Sequence, residues 1–127
     1  MGLTFLDTDV LIQAFRPNPT TLEALARLTG GRDLATTSIN VGEFLRGTTG
    51  GKRAAARGLL EALQEIPFGP RAAVRFADVM HGLDRAGKRL DVADGQIAAV
   101  VLEEGGRLVT GNVRHFGRVP GLDVVTL

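Results

Sequence analysis

A chain of 127 residues with 44% hydrophobic content suits one domain around one core and is too apolar for a disordered segment. It has no cysteine, which excludes disulfides, zinc fingers, iron–sulfur ligation and thiol catalysis. No apolar run reaches the ~18–20 residues of a membrane span, and the start lacks the pattern of a signal peptide. The net charge of +1 decides little, but all basic residues except Lys52 and Lys88 are arginine.

These bounds lead us to expect a soluble, cytoplasmic protein with residues 1–127 forming a single domain. An arginine excess suits phosphate, because the guanidinium fork binds two oxygens; an Arg-rich genome gives the same composition. With no Trp or Tyr and six Phe, broad base-stacking platforms are not expected.

Apolar pattern and Gly/Pro punctuation divide the chain into alternating elements. Residues 3–6 read as a buried strand. A short helix follows with Val10, Leu11, Ile12 and Phe15, closed by Pro17 and Pro19. Thr20 or Thr21 caps a helix with Leu22, Leu25 and Leu28 inward, and Gly30-Gly31 stops it. Residues 34–37 read as strand two. Ser38 caps a helix to Arg46, ended by Gly47, and 48–51 form a loop.

The spacing of Ala56, Leu59, Leu60 and Leu63 predicts a helix over 52–65. A short strand at 66–68 is weakened by Pro67. Pro70 opens a long helix with Ala73, Ala77, Met80 and Leu83 as its stripe, ended by Gly87. Residues 93–104 form a helix that buries Ile97, Val100 and Val101. Strand four is 107–110, a turn covers 113–116, and 123–126 is the last strand. Strands alternating with helices imply a parallel α/β sheet with right-handed crossovers.

In such a sheet the carboxyl ends of the strands share one edge, where open α/β sheets bind ligands. Asp7 and Asp9 follow strand one. Glu43 lies in the second turn of the helix after strand two. Asp94 opens the helix leading to strand four, with Asp91 just before it, and Asn112 follows strand four. Four segments thus bring oxygen donors to one edge. Glu61, Glu65, Glu103 and Glu104 fall late in helices and read as solvated charges.

Clustered carboxylates repel and raise one another's pKa values, a cost that a hard cation removes. Oxygen-only ligands favour Mg²⁺ or Mn²⁺ over Zn²⁺, and the chemistry such a site suits is phosphodiester hydrolysis. Plainer roles exist for most of these residues: Asp7 and Asp9 as helix caps, Asp94 as a first-turn acid, Asp91 as a helix-entry residue, Asn112 as a turn residue. Glu43, among Val41, Phe44 and Leu45, is the acid that most needs a partner.

Four blocks carry a family resemblance: Phe5-Leu6-Asp7-Thr8-Asp9-Val10-Leu11-Ile12, then Thr37-Ser38-Ile39-Asn40-Val41-Gly42-Glu43-Phe44-Leu45-Arg46-Gly47, then Ala93-Asp94-Gly95-Gln96-Ile97-Ala98-Ala99, then Leu108-Val109-Thr110-Gly111-Asn112-Val113-Arg114-His115-Phe116. In this order they resemble PIN-domain ribonucleases of the VapC toxin type. The resemblance implies a three-layer α/β/α sandwich with a five-stranded parallel sheet. It implies a Mg²⁺-dependent (or Mn²⁺-dependent) endoribonuclease, the toxin of a toxin–antitoxin pair. Asp7, Glu43 and Asp94 fall on the family's metal-site positions. Asn112 falls where many members carry a fourth acid, and an amide there can position a water but cannot act as a base.

Thr8 and Ser38 lie beside the acids as hydrogen-bonding supports, with Asp9 in a supporting place. The implied reaction is in-line attack of a metal-activated water on an RNA phosphate, leaving a 3′-hydroxyl and a 5′-phosphate. Arg46 and Arg114 lie close to the acidic blocks as candidates to hold RNA backbone. His115 reads as a packing and turn residue beside Phe116. The implied partners are RNA, a cognate antitoxin that blocks the acidic groove, and a second copy in a homodimer or a toxin–antitoxin hetero-oligomer.

Two other classes fit part of the pattern. Asp7-Thr8-Asp9 after a strand also resembles haloacid-dehalogenase-type phosphatases, with Asp7 as nucleophile and Asp9 as general acid. That chemistry needs a downstream lysine and a late acidic pair, and strand four ends in Thr110-Gly111-Asn112. A non-catalytic, antitoxin-bound regulatory dimer is the other alternative, against which the intact set of acids argues. A phosphate loop at 47–52 is excluded, since Arg46 takes the first glycine position and Arg53 follows Lys52.

Overall fold

The computed structural model describes residues 2–16, 19–30 and 33–127, except for the side chains of Pro19 and Leu22. The expected stops at Pro17 and Gly31 and the inward Leu22 lie outside the described residues. The elements run β1 (Thr4–Leu6), α1 (Thr8–Phe15), α2 (Pro19–Thr29), β2 (Leu34–Thr37), α3 (Ser38–Arg46), α4 (Lys52–Glu61), β3 (Gln64–Ile66), α5 (Pro70–Arg85), α6 (Val92–Glu103), β4 (Arg107–Val109), α7 (Val113–Phe116) and β5 (Asp123–Val125).

The five strands form one sheet in the order β3-β2-β1-β4-β5, and every pairing is parallel. Successive strand residues point to opposite faces, and the core divides accordingly. Phe5 and Leu108 pack with α5 and α6 on one side. Leu6 and Val109 pack with α1, α2, α3 and α4 on the other. The result is a three-layer α/β/α sandwich. Strand order reverses between β1 and β4, so the crevice beyond their carboxyl ends is the place where this architecture binds ligands.

Several local expectations are corrected. The third strand is Gln64–Ile66 rather than 66–68, because α4 stops at Glu61 and Pro67 has no N–H to extend the ladder. Glu65 therefore lies on a strand and not late in a helix. The cap of α3 is Thr37, whose Oγ1 accepts from the backbone N–H of Asn40; Ser38 is already helical. Pro19 opens α2 instead of closing α1, so Thr20 and Thr21 lie within the helix.

The buried face of α5 is set by Ala72, Phe76, Val79, Met80 and Leu83, while Ala73 and Ala77 are exposed. That face meets α6 at Gly95, where an added Cβ would lie 2.6 Å from Met80 Sδ and 3.0 Å from the Phe76 ring. The two helices run antiparallel: Arg71 and Arg75, near the start of α5, pair with Glu103 at the end of α6. Two helices separate β3 from β4, so only the second, α6, begins at the carboxyl edge. Among the described residues no helix is long and apolar enough to cross a membrane.

Candidate active site

Asp7 leaves β1 at the β1–β4 crevice and is only 7% exposed. Its backbone carbonyl starts α1, but its carboxylate makes no capping bond. The carboxylate instead accepts from two distant side chains. Asn40 Nδ2 donates to Oδ1 at 2.9 Å, and Thr110 Oγ1 donates to Oδ2 at 2.7 Å. Burial pushes the Asp7 carboxyl above its ordinary range, helped by the nearby charge of Asp9. Hydrogen bonds from Thr110, the Thr8 backbone and Asn40 pull the other way.

Asn40 is the hub. It is fully buried on α3, and its Oδ1 accepts from Thr37 Oγ1 at 2.7 Å. That bond turns the amide so that Nδ2 faces Asp7 and also Thr8 Oγ1, at 2.9 Å. Thr8 Oγ1 in turn donates to Glu43 Oε1 at 2.6 Å. One buried amide thus orients Asp7 directly and the exposed Glu43 through Thr8.

Asp94 arrives from the first turn of α6 and is half-buried. Its pKa is pushed up to about 6, first by burial and then by the charges of Asp7, Asp91 and Glu43. Asp91 holds the N-cap position of α6 through its backbone and is exposed. Asn112 caps the start of α7; its backbone N–H donates to Thr110 Oγ1 at 2.9 Å and its side-chain Oδ1 contacts His115 Nδ1. Asp91, Asp94, Asn112 and His115 share one cleft of about 170 Å³. His115 is exposed there, so it is not the packing residue expected beside Phe116.

The remaining expected residues fall around this centre. Asp9 Oδ2 accepts from the Gly111 amide at 2.9 Å, and its Oδ1 is buried without a partner among the described residues. A Cβ at Gly111 would lie 2.5 Å from Asp9 Oδ2, so glycine permits this approach. Held in this way, Asp9 is not the free general acid that the phosphatase alternative needs. Ser38 supports none of the three acids: its hydroxyl donates to Glu65 Oε2 at 2.6 Å. Arg46 ends α3 and Arg114 lies on α7, both exposed.

Sequence reasoning missed Asn40 and Thr110 as site residues. The available signals were a polar residue within Ile39-Asn40-Val41, the capping spacing from Thr37 to Asn40, and a threonine at the end of an apolar strand.

Among the described residues no three acidic or histidine side chains converge into a ready-made metal cage, and Glu43 is turned toward Thr8. The donor set nonetheless fits a hard cation. It is oxygen-only, and the charges of Asp7, Asp91 and Glu43 all act on Asp94. Mg²⁺ keeps several waters and needs only a few carboxylates.

A family model described as the PIN domain matches residues 4–122. Ribonuclease VapC2 of Haemophilus influenzae is 30% identical over 123 residues, covering 92% of each chain. Among solved structures, the DNA-bound VapBC of Salmonella typhimurium superposes with a TM-score of 0.86 at 24% identity, covering 99% of this chain and 98% of that one. VapBC2 from Rickettsia felis, bound to a DNA fragment from its promoter, gives 0.85 at 22% identity, covering 98% of both. At these identities the structures establish the fold, while the domain match and the Haemophilus relative establish descent: the chain belongs to the PIN-domain family, and within it to the VapC type.

Proposed function

We propose that this protein is a Mg²⁺-dependent (or Mn²⁺-dependent) endoribonuclease and the toxin of a toxin–antitoxin pair. The observation that carries the reading is the carboxylate group at the β1–β4 crevice: Asp7 is buried and oriented by Asn40 and Thr110, and Asp94 lies within reach of the charges of Asp7 and Glu43. The ribonuclease name of the Haemophilus relative and the toxin–antitoxin complexes among the structural neighbours support it.

Asp7, Glu43 and Asp94 are the residues that would hold the ion. When bound, such an ion polarises a phosphoryl oxygen and makes water a nucleophile near neutral pH. The protein's own part is to keep the acids aimed. Asn40 and Thr110 fix the two oxygens of Asp7, Thr8 fixes Glu43, and Asn112 stands at the rim to position a water. Asp9 holds the loop that carries Thr110 and Asn112. Arg46 and Arg114 are candidates for holding the RNA backbone. The partners are RNA, a cognate antitoxin and a second copy of the chain.

Purified protein incubated with RNA should cleave it in Mg²⁺ and not in EDTA. Asp7→Asn should lower the rate at least about a hundredfold, the upper end of what losing a mere supporting residue of a metal ligand costs. Cleavage that survives EDTA, or is unchanged in Asp7→Asn, would sink the metal-nuclease reading. Co-expression with a small protein encoded beside this gene should yield a complex in which cleavage is suppressed.

A further inference from the structure

The cleft beside Asp94 holds more than acids. Arg89, from the segment between α5 and α6, and His115 and Arg118, from α7 and its exit, line it with Asp91, Asp94 and Asn112. Arg118 Nη1 donates to the backbone carbonyl of Arg89, which ties the two segments together across the cleft. His115 is held at the rim by Asn112.

Guanidinium groups stay charged at any working pH, and neither arginine forms an ion pair among the described residues. The ion pairs among the described residues join Arg71 and Arg75 to Glu103. Arg89 and Arg118 stand outside them, although Asp91 and Asp94 line the same cleft. Two fixed positive charges beside the acid centre, without a carboxylate in contact, leave room for an anion that is not part of the protein.

The lining also says which part of a nucleic acid fits. Leu90 is the apolar member, and no Phe, Tyr or Trp is among the described residues of the lining, so the large rings that make broad base-stacking platforms are missing. A space of about 170 Å³, in which two guanidinium groups and an imidazole line the wall together with Asp91 and Asp94, has the size and the donors for a sugar–phosphate linkage. Guanidinium matches its oxygens with paired N–H donors.

We infer that this cleft is a backbone subsite: Arg89 and Arg118 grip the RNA phosphodiester adjoining the one at Asp7 and Asp94, without reading the base. The inference rests on the nuclease reading for the word "adjoining" and otherwise on the cleft alone. It transfers the main backbone contact from Arg46 and Arg114 to a pair that faces the acids.

The test separates binding from cleavage. Affinity for short labelled single-stranded RNAs of two unrelated sequences is measured in EDTA between roughly 50 and 200 mM salt, where each lost phosphate contact lowers the slope of log K against log salt by about 0.7. Arg89→Gln, whose side chain is exposed, should remove one such step, and the Arg89→Gln/Arg118→Gln pair about two. Both RNAs should be affected equally.

Arg57→Gln, on α4 and outside the cleft, is the control and should leave the slope unchanged. A thermal melt of each variant shows whether the fold survives loss of the Arg118 tether; if the double variant unfolds, Arg89→Gln alone decides. An unchanged slope in Arg89→Gln, an equal loss in Arg57→Gln, or a loss confined to one RNA sequence overturns the subsite. Wild-type protein that binds RNA through these arginines but cleaves none in Mg²⁺ overturns the nuclease reading and leaves the subsite standing.

Discussion

The acid centre has two sides built on opposite plans. On the Asp7 side the carboxylate is buried, and both oxygens are claimed by donors from other elements, Asn40 and Thr110. On the Asp94 side the carboxylate is half-buried, and no hydrogen bond reaches it among the described residues. There the dominant influences are burial and the charges of Asp7, Asp91 and Glu43. One side fixes geometry with local polar partners. The other gathers like charges around Asp94, beside two arginines that form no ion pair among the described residues. The difference separates a scaffold from a receiving surface.

The largest break in this contrast should come from Asn40→Ala. It leaves Asp7 Oδ1 and Thr8 Oγ1 without their shared donor in a buried place, a loss of about 1–3 kcal/mol. Cleavage should fall about 10–100-fold, as when the support of a metal ligand is removed. Chemical denaturation and a cleavage assay would measure the two effects, and wild-type cleavage in this variant would show that the amide does not aim the acids.

Asp94→Asn should act in the reverse direction on stability. With a folded-state pKa raised from 3.8 to about 6, native Asp94 binds its proton more tightly than the unfolded chain does. Between those two values the native state holds more protons, so this group's contribution falls as pH rises and its cost is complete above about pH 6. The metal-free variant should therefore melt higher than wild type at pH 7, and the gap should close toward pH 4. Mg²⁺ should raise the melting temperature of wild type more than that of the variant. A gap that does not depend on pH would contradict the assignment.

The smallest effect on cleavage should come from Gly111→Ala. Its Cβ would meet Asp9 Oδ2 at 2.5 Å, forcing apart the contact between α1 and the β4–α7 connection at a cost of about 1–3 kcal/mol. Cleavage should drop through displacement of Thr110 and Asn112, but less than in Asn40→Ala. Equal or greater loss would move the weight of the scaffold from Asn40 to Asp9.

The acids were legible in the sequence because their location follows from one rule: residues after parallel strands, and in the first turns of helices that begin there, share an edge. The buried α6 face, with Ile97, Val100 and Val101, was legible because the whole helix is apolar. The face of α5 was misread by one residue, since its alanines fit two neighbouring stripes and only the contact with Gly95 on α6 selects between them. The third strand slid because Glu65 reads equally well as a helix end or an edge strand.

Asn40 and Thr110 stayed hidden for a different reason. Their roles consist of hydrogen bonds to Asp7 across 33 and 103 residues, and no local pattern encodes such distances. Ser38 misled by the same logic, since sequence adjacency to the acids does not decide which way a hydroxyl turns. It turns to Glu65, 27 residues away.

The bond from Thr110 to Asp7 joins residues 103 positions apart. β1 lies at the middle of the sheet and needs β4 along one flank, so a nascent chain that has not reached Arg107 lacks both that strand and the second donor to Asp7. Contacts of such sequence separation form late and slowly. The acid centre is therefore completed only once synthesis has passed Thr110, and a shorter chain carries the acids without the arrangement that aims them.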